Sequence, residues 1–142
     1  MKISARNVFD GSIEAVKTGA INSEVDVLLP GGLRIVATVT NDSVSELGLV
    51  AGKAVKALVK ASSVLVLTDG EGVRLSARNR LEGTISSVTD GPVSCEVAIT
   101  LPNGLSVFAT ITREGAAALG LKAGMAGAAI FKAPSVIIGV GS

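Results

Sequence analysis

From residue 24 onward apolar and polar positions alternate: Val25, Val27 and Leu29 are separated by Glu24, Asp26 and Leu28. A period of two predicts a strand with one buried face. "PGG" at Pro30 to Gly32 supplies a turn, and Leu33, Ile35, Ala37 and Val39 resume the alternation, so the stretch predicts a β-hairpin. "FDGSIEAV" and "KAVKALVKASSVLVL" predict further strands, the second rich in β-branched residues. One short helix is predicted at Ser43 to Leu47, because "SVSE" has capping-box spacing and Gly48 suits the residue after the helix, ahead of Leu49.

The whole pattern then recurs. Shifting the chain by 72 residues aligns it with itself without a gap, and 28 of the 61 positions from Ser4 to Val64 are identical to their partners. Chance would give a handful, so the chain is an internal duplication. "SARN" at Ser4 to Asn7 returns at Ser76 to Asn79, "LPGGLRIVATVT" returns as "LPNGLSVFATIT", and "KASSV" returns as "KAPSV". "TDGEGVR" between the copies reads as a short linker, which places one domain at 1–69 and a second at 73–142. Four or five strands and one helical turn per copy predict an all-β protein: two tandem OB-like Greek-key β-barrels, each with one short helix. A two-sheet sandwich is the alternative.

Composition narrows the chemistry. Histidine is absent from all 142 residues, which removes the usual general base, the usual zinc ligand and the Ser-His-Asp triad, and one cysteine cannot make an intrachain disulfide. An enzyme is the least expected class. The chain is 48% hydrophobic but has only three Phe and no Tyr or Trp, so small aliphatic cores and buried subunit interfaces are expected. A net charge of +1 and the lack of aromatic stacking platforms argue against a nucleic-acid binder. The N-terminus has no apolar signal region, and "GAAALGLKAGMAGAAIF", interrupted by Lys122, falls short of a membrane span. Neither membrane nor nucleic acid is therefore expected as a partner, and a cytoplasmic location is.

Three motifs fail on inspection. "GLVAGK" has the wrong glycine spacing and Ala54 where a phosphate loop needs Ser or Thr, and "GEGVRL" lacks the third glycine of a dinucleotide fingerprint. "NDS" at Asn41 is a glycosylation sequon without a secretory route. Cys95 aligns with Ser23 and reads as a small packed side chain. Where the first copy has Asp26, Glu46, Lys53 and Lys56, the second has Ala98, Ala118, Met125 and Ala128, which predicts that these faces of the second copy are covered by another chain.

The polar positions common to both copies include Ser4/Ser76, Arg6/Arg78, Asn7/Asn79, Glu24/Glu96, Thr38/Thr110, Thr40/Thr112, Lys60/Lys132 and Ser63/Ser135. One arginine and one lysine per copy supply a fixed fork of donors and a mobile point charge, a set suited to a compact dianion. Hydroxyls and backbone N–H groups at the predicted helix start at Ser43 add neutral donors. The bland reading of each residue is a surface cation, a cap or a turn, and duplication alone preserves some identity.

"SARN", the "G-x-I" at Gly11 to Ile13, "EV" at Glu24, "GGLRIVATVT", "LGLVAG" and "KASSV" resemble the mop domain of the molybdate-binding molbindins, over nearly the whole of each copy. The resemblance implies a cytoplasmic store for molybdate or tungstate, with no organic cofactor, no catalysis and no protein side chain as a direct metal ligand. It places the anion between subunits and nominates Ser4, Arg6, Thr40, Ser43, Lys60 and the Ala61 N–H in the first copy. In the second it nominates Ser76, Arg78, Thr112, Lys132 and the Ala133 N–H. Gly115, matching Ser43, has no hydroxyl, and Pro134 lacks an N–H, so the second pocket is expected to be weaker or built with a main-chain donor. Single-domain relatives form hexamers, so a two-copy chain is expected as a homotrimer of six mop domains. Rival readings are a scaffold or shell protein of duplicated barrels and an OB-type nucleic-acid binder.

Overall fold

A computed structural model describes residues Met1–Gly141; Ser142, the last residue of the second repeat, lies outside the described residues. The strands are β1 (Asn7–Thr18), β2 (Asn22–Leu28), β3 (Arg34–Thr40), β4 (Ala54–Val59), β5 (Leu65–Leu67), β6 (Asn79–Asp90), β7 (Ser94–Thr100), β8 (Ser106–Thr112), β9 (Ala126–Phe131) and β10 (Ile137–Gly139). The helices are α1 (Asn41–Leu47) and α2 (Arg113–Leu119). Short 3-10 turns at Pro30–Gly32, Ala61–Ser63 and Ala133–Ser135 complete the order.

The strands form two five-stranded sheets, ordered β10-β4-β1-β2-β3 and β5-β9-β6-β7-β8, and every pairing is antiparallel. Three consecutive strands with the fourth returning beside the first is the Greek-key order. The fifth strand of each sheet comes from the other repeat. β10 pairs with β4, with Ile137 opposite Leu58 and Gly139 opposite Lys56, while β5 pairs with β9, with Leu65 opposite Ile130 and Leu67 opposite Ala128. In each unit this added strand also packs against the far edge strand, β10 on β3 and β5 on β8, so the sheet curls into a barrel.

The compact units in space therefore differ from the repeats in sequence. One unit is Met1–Val59 with the segment from Lys132 onward, and the other is Lys60–Phe131. The repeats at 1–69 and 73–142 each contribute four strands to one unit and one strand to the other.

The predicted alternation is the core. In the first unit Val25, Val27 and Ala37 are fully buried, and in the second Ile85, Val97, Ile99 and Val107 are. A bulge interrupts β1 between Ile13 and Ala15, and the same irregularity interrupts β6 between Ile85 and Ser87. Just before each bulge the paired strand comes very close. A Cβ on Gly11 would lie 2.6 Å from the Leu28 carbonyl oxygen, and one on Gly83 would overlap that of Thr100.

Two expectations change here. The helices begin two residues earlier than Ser43, at Asn41, and in the second repeat at Arg113. The cap is the last strand residue: Thr40 Oγ1 accepts from the Ser43 N–H, and Thr112 Oγ1 from the Gly115 N–H, because a threonine in extended backbone can reach the third amide of the helix. The end is as expected, with Gly48 left-handed at φ 62°. The uncharged positions of the second repeat are not all left for another chain: Ala98 and Ala128 are already buried in a single chain, while Ala118 is exposed.

Because the obstacle at both glycines is backbone, Gly11→Ala or Gly83→Ala is expected to destabilise the fold by about 1–3 kcal/mol. The urea midpoint measures this, and an unchanged midpoint would mean the strands are not held this closely.

Candidate functional site

The nominated residues fall at strand ends and in the turns that leave them. Ser4 and Arg6 precede β1, Ser76 and Arg78 precede β6, and all four side chains are exposed. Asn7 and Asn79, the last letters of the repeated tetrapeptide, are instead the first residues of their strands and are 1% and 2% exposed. The tetrapeptide thus divides its labour. The asparagine is fixed in the packed sheet, which sets where the preceding serine and arginine emerge.

Strand register shows where the segments carrying these cations leave the ladders. Asn7 is opposite Val59 and Asn79 opposite Phe131, the terminal pairs of the β1/β4 and β6/β9 ladders. Arg6 and Lys60 directly flank the first pair, and Arg78 and Lys132 the second. Lys60 and Lys132 are exposed and each begins a 3-10 turn, closed by Ser63 N–H to Lys60 O at 2.9 Å and Ser135 N–H to Lys132 O at 3.0 Å. Pro134 occupies the start of its turn, where an N–H is not required, so both turns take one form despite the Ser62/Pro134 difference. The N–H groups of Ala61 and Ala133 stand outside these closing bonds, on residues that are themselves buried.

The exchange of strands redistributes the remaining nominees. The turn at Ala133–Ser135 packs on β3, and the turn at Ala61–Ser63 packs on β8. Within one unit, then, Thr40 and Ser43 accompany Lys132 and Ala133, while Thr112 and Gly115 accompany Lys60 and Ala61. The sequence grouping by repeat does not carry over to these two turns.

The hydroxyls form a local pair: Thr40 Oγ1 donates to Ser43 Oγ at 2.9 Å and accepts from the Ser43 N–H at 3.2 Å. The Ser43 amide, expected to point outward as an anion donor, is therefore engaged by the cap. In the second unit Gly115 N–H donates to Thr112 Oγ1 at 3.0 Å.

Sequence reasoning missed Asn41. Its Oδ1 accepts from Ser23 Oγ at 2.5 Å, its Nδ2 donates to Gly19 O at 2.9 Å, and its own N–H donates to Ile21 O at 2.9 Å, tying the β1–β2 turn to the helix start. The only signal was its place in a sequon that led nowhere. The second repeat has Arg113 there and replaces Ser23 by Cys95, a buried thiol that donates to Asp90 Oδ1 at 3.1 Å. Hydrogen bonding to that carboxylate, and then burial, raise the thiol above the ordinary cysteine range. Among the described residues no cluster of His, Cys, Asp and Glu could hold a metal ion. No helix among them is long and apolar enough to cross a membrane.

Residues 3–66 and 75–138 each match the family profile described as the TOBE domain. The chain belongs to the TOBE-domain family. It is a tandem TOBE chain, similar at 44% identity over 140 residues to the molybdenum transport protein ModE of Herbaspirillum seropedicae, covering 99% of this chain and 52% of that protein. It is 42% identical over 138 residues to the molybdenum-pterin-binding protein MopA of Rhodobacter capsulatus, covering 97% of this chain and 52% of MopA. The chain thus spans about half the length of the curated relatives it matches. Among solved structures, the cytoplasmic molybdate-binding protein ModG, in a form with molybdate bound, superposes with a TM-score of 0.96 at 50% identity, covering 99% of this chain and 100% of ModG. The tandem all-β TOBE architecture agrees with the mop-domain resemblance read from the sequence.

The raised thiol gives a pH expectation. A thiol whose pKa is higher folded than unfolded contributes stability that is present below the unfolded value and is lost as pH rises through the folded one. Asp90→Asn is expected to lower the Cys95 pKa and speed its alkylation at a fixed alkaline pH. Measured rates that do not change would remove Asp90 as the cause.

Proposed function

We propose that this tandem TOBE chain binds molybdate, with tungstate as a close mimic, and stores it without reacting with it. The single observation that carries the reading is that a chain 50% identical and equivalent along its whole length has been solved with molybdate bound. The repeated donor set supports it: at positions common to both, each repeat has one guanidinium, one ammonium and strand-end hydroxyls. Binding by donors alone needs no proton transfer, which suits a chain without histidine.

In this reading Ser4, Arg6, Thr40, Ser43, Lys60 and the Ala61 N–H hold the anion in one kind of pocket, and Ser76, Arg78, Thr112, Gly115, Lys132 and the Ala133 N–H serve the other, with Gly115 releasing its N–H from the Thr112 cap to donate. Because Thr40 and Ser43 share a unit with Lys132 within one chain, and Thr112 and Gly115 with Lys60, each pocket is completed across a subunit boundary, in a cytoplasmic homotrimer. Charge-assisted hydrogen bonds contribute roughly 1.5–3 kcal/mol each, and a micromolar Kd needs about 8 kcal/mol, so four or five contacts suffice after ordering costs. A cage fitted to molybdate leaves the smaller sulfate under-coordinated, which is the expected source of selectivity. No nucleic-acid partner is proposed, given the charge of +1 and the missing aromatics.

Titration calorimetry tests this. The wild-type chain is expected to release heat with molybdate and tungstate but not with sulfate, and Arg6→Ala with Lys60→Ala is expected to remove about half of the bound anion while the assembly persists. Absence of molybdate-specific heat would overturn the function and favour a scaffold. Unchanged stoichiometry in the double variant would overturn the residue assignment.

A further inference from the structure

Arg80 has no counterpart in the first repeat, where Val8 stands at the same position without a donor. Its guanidinium makes three hydrogen bonds: Nε to Glu82 Oε1 at 2.8 Å, Nη1 to Val73 O at 2.6 Å and Nη2 to Gly70 O at 2.9 Å. Glu82 is two residues further along β6 and so shares a face with Arg80, orienting the fork.

The two carbonyls are the ends of one turn. Val73 N–H donates to Gly70 O at 3.0 Å, and Gly72, at φ 79°, takes the left-handed third position that such a turn requires. Arg80 thus brackets the turn from both ends. The five residues that follow, Arg74 to Arg78, include Ser76 and Arg78, and they run directly into the buried Asn79. The segment is held at its start by a turn clamped to β6 and at its finish by β6 itself.

From this bracket we infer that Arg80 is a positioning residue that pre-orders the Ser76–Arg78 segment for its anion, so that the pocket using this segment binds more tightly with the clamp than without it. The inference rests on the molybdate reading above. A segment already fixed before binding avoids an ordering cost on binding, and removing the Arg80 fork would restore that cost. Arg80 acts through the turn, its fork being engaged by Glu82 and the two carbonyls.

The test combines molybdate calorimetry with limited trypsin cleavage at the exposed Arg74, using the full chain and the variants Arg80→Ala and Arg80→Lys. In wild type Arg74 is expected to be protected. Arg80→Ala should weaken the sites that use Ser76 and Arg78 roughly three- to tenfold, the equivalent of freeing a side chain or two, with stoichiometry unchanged and Arg74 cut faster. Arg80→Lys keeps the charge but not the fork, so it should resemble Arg80→Ala. Wild-type affinity in Arg80→Lys would mean that charge, not positioning, matters and would overturn the inference. So would unchanged affinities in Arg80→Ala, or an equal loss at every site. If wild type takes up no molybdate, the proposed function fails and the affinity difference with it, while Arg74 cleavage still decides whether Arg80 clamps the turn, so the two failures are distinguishable.

Discussion

Neither repeat completes its own sheet. β4 and β9 each leave an edge that is filled by a three-residue strand from the opposite repeat, through backbone pairing from Ile137 to Gly139 in one unit and from Leu65 to Leu67 in the other. An unfilled edge would present a row of unpaired N–H and C=O groups to solvent. Exchange covers the β4 and β9 edges with strands only three residues long, and the chain crosses between the units at Lys60 and Lys132. The candidate lysines stand at these crossings, so the segment that closes a sheet also carries the charge proposed to hold the anion.

The repeated tetrapeptide follows the same logic. Its asparagine begins a strand and is buried, opposite the last residue of the strand from which the lysine leaves, and the exposed arginine directly precedes it. Threonine at the end of the third strand of each repeat both finishes a sheet and caps a helix. The chemistry these groups offer is charge neutralisation by fixed donors, and a fold with rigid strand ends is suited to it because little has to be ordered when the anion arrives.

Much of this was legible in the residues. Alternation at Val25, Val27, Ile35 and Ala37 gave the hairpin and its buried face, and "PGG" and Gly48 gave the turn and the helix end, since each signal is local. Strand exchange was not legible, because "KASSVLVL" and "KAPSVIIG" are so alike that either could fill either edge. The helix start was misplaced because Ser43 satisfies a capping pattern as well as Thr40 does. What decides is that Thr40 ends a strand, a fact of tertiary structure. Asn41 and Arg80 were overlooked for the opposite reason: they are where the repeats differ, and attention to shared positions passes over them. Arg80 against Val8 was the readable sign, a long cation in one copy where the other has an apolar residue.

The central claim is that the anion is held between subunits by groups from strand ends and exchanged turns. Native mass spectrometry of the full chain with molybdate tests it most directly, since it weighs the assembly and counts its bound anions together. The account predicts a three-chain species that carries molybdate and a dissociated single chain that carries none. A single chain retaining its full share of molybdate would contradict it.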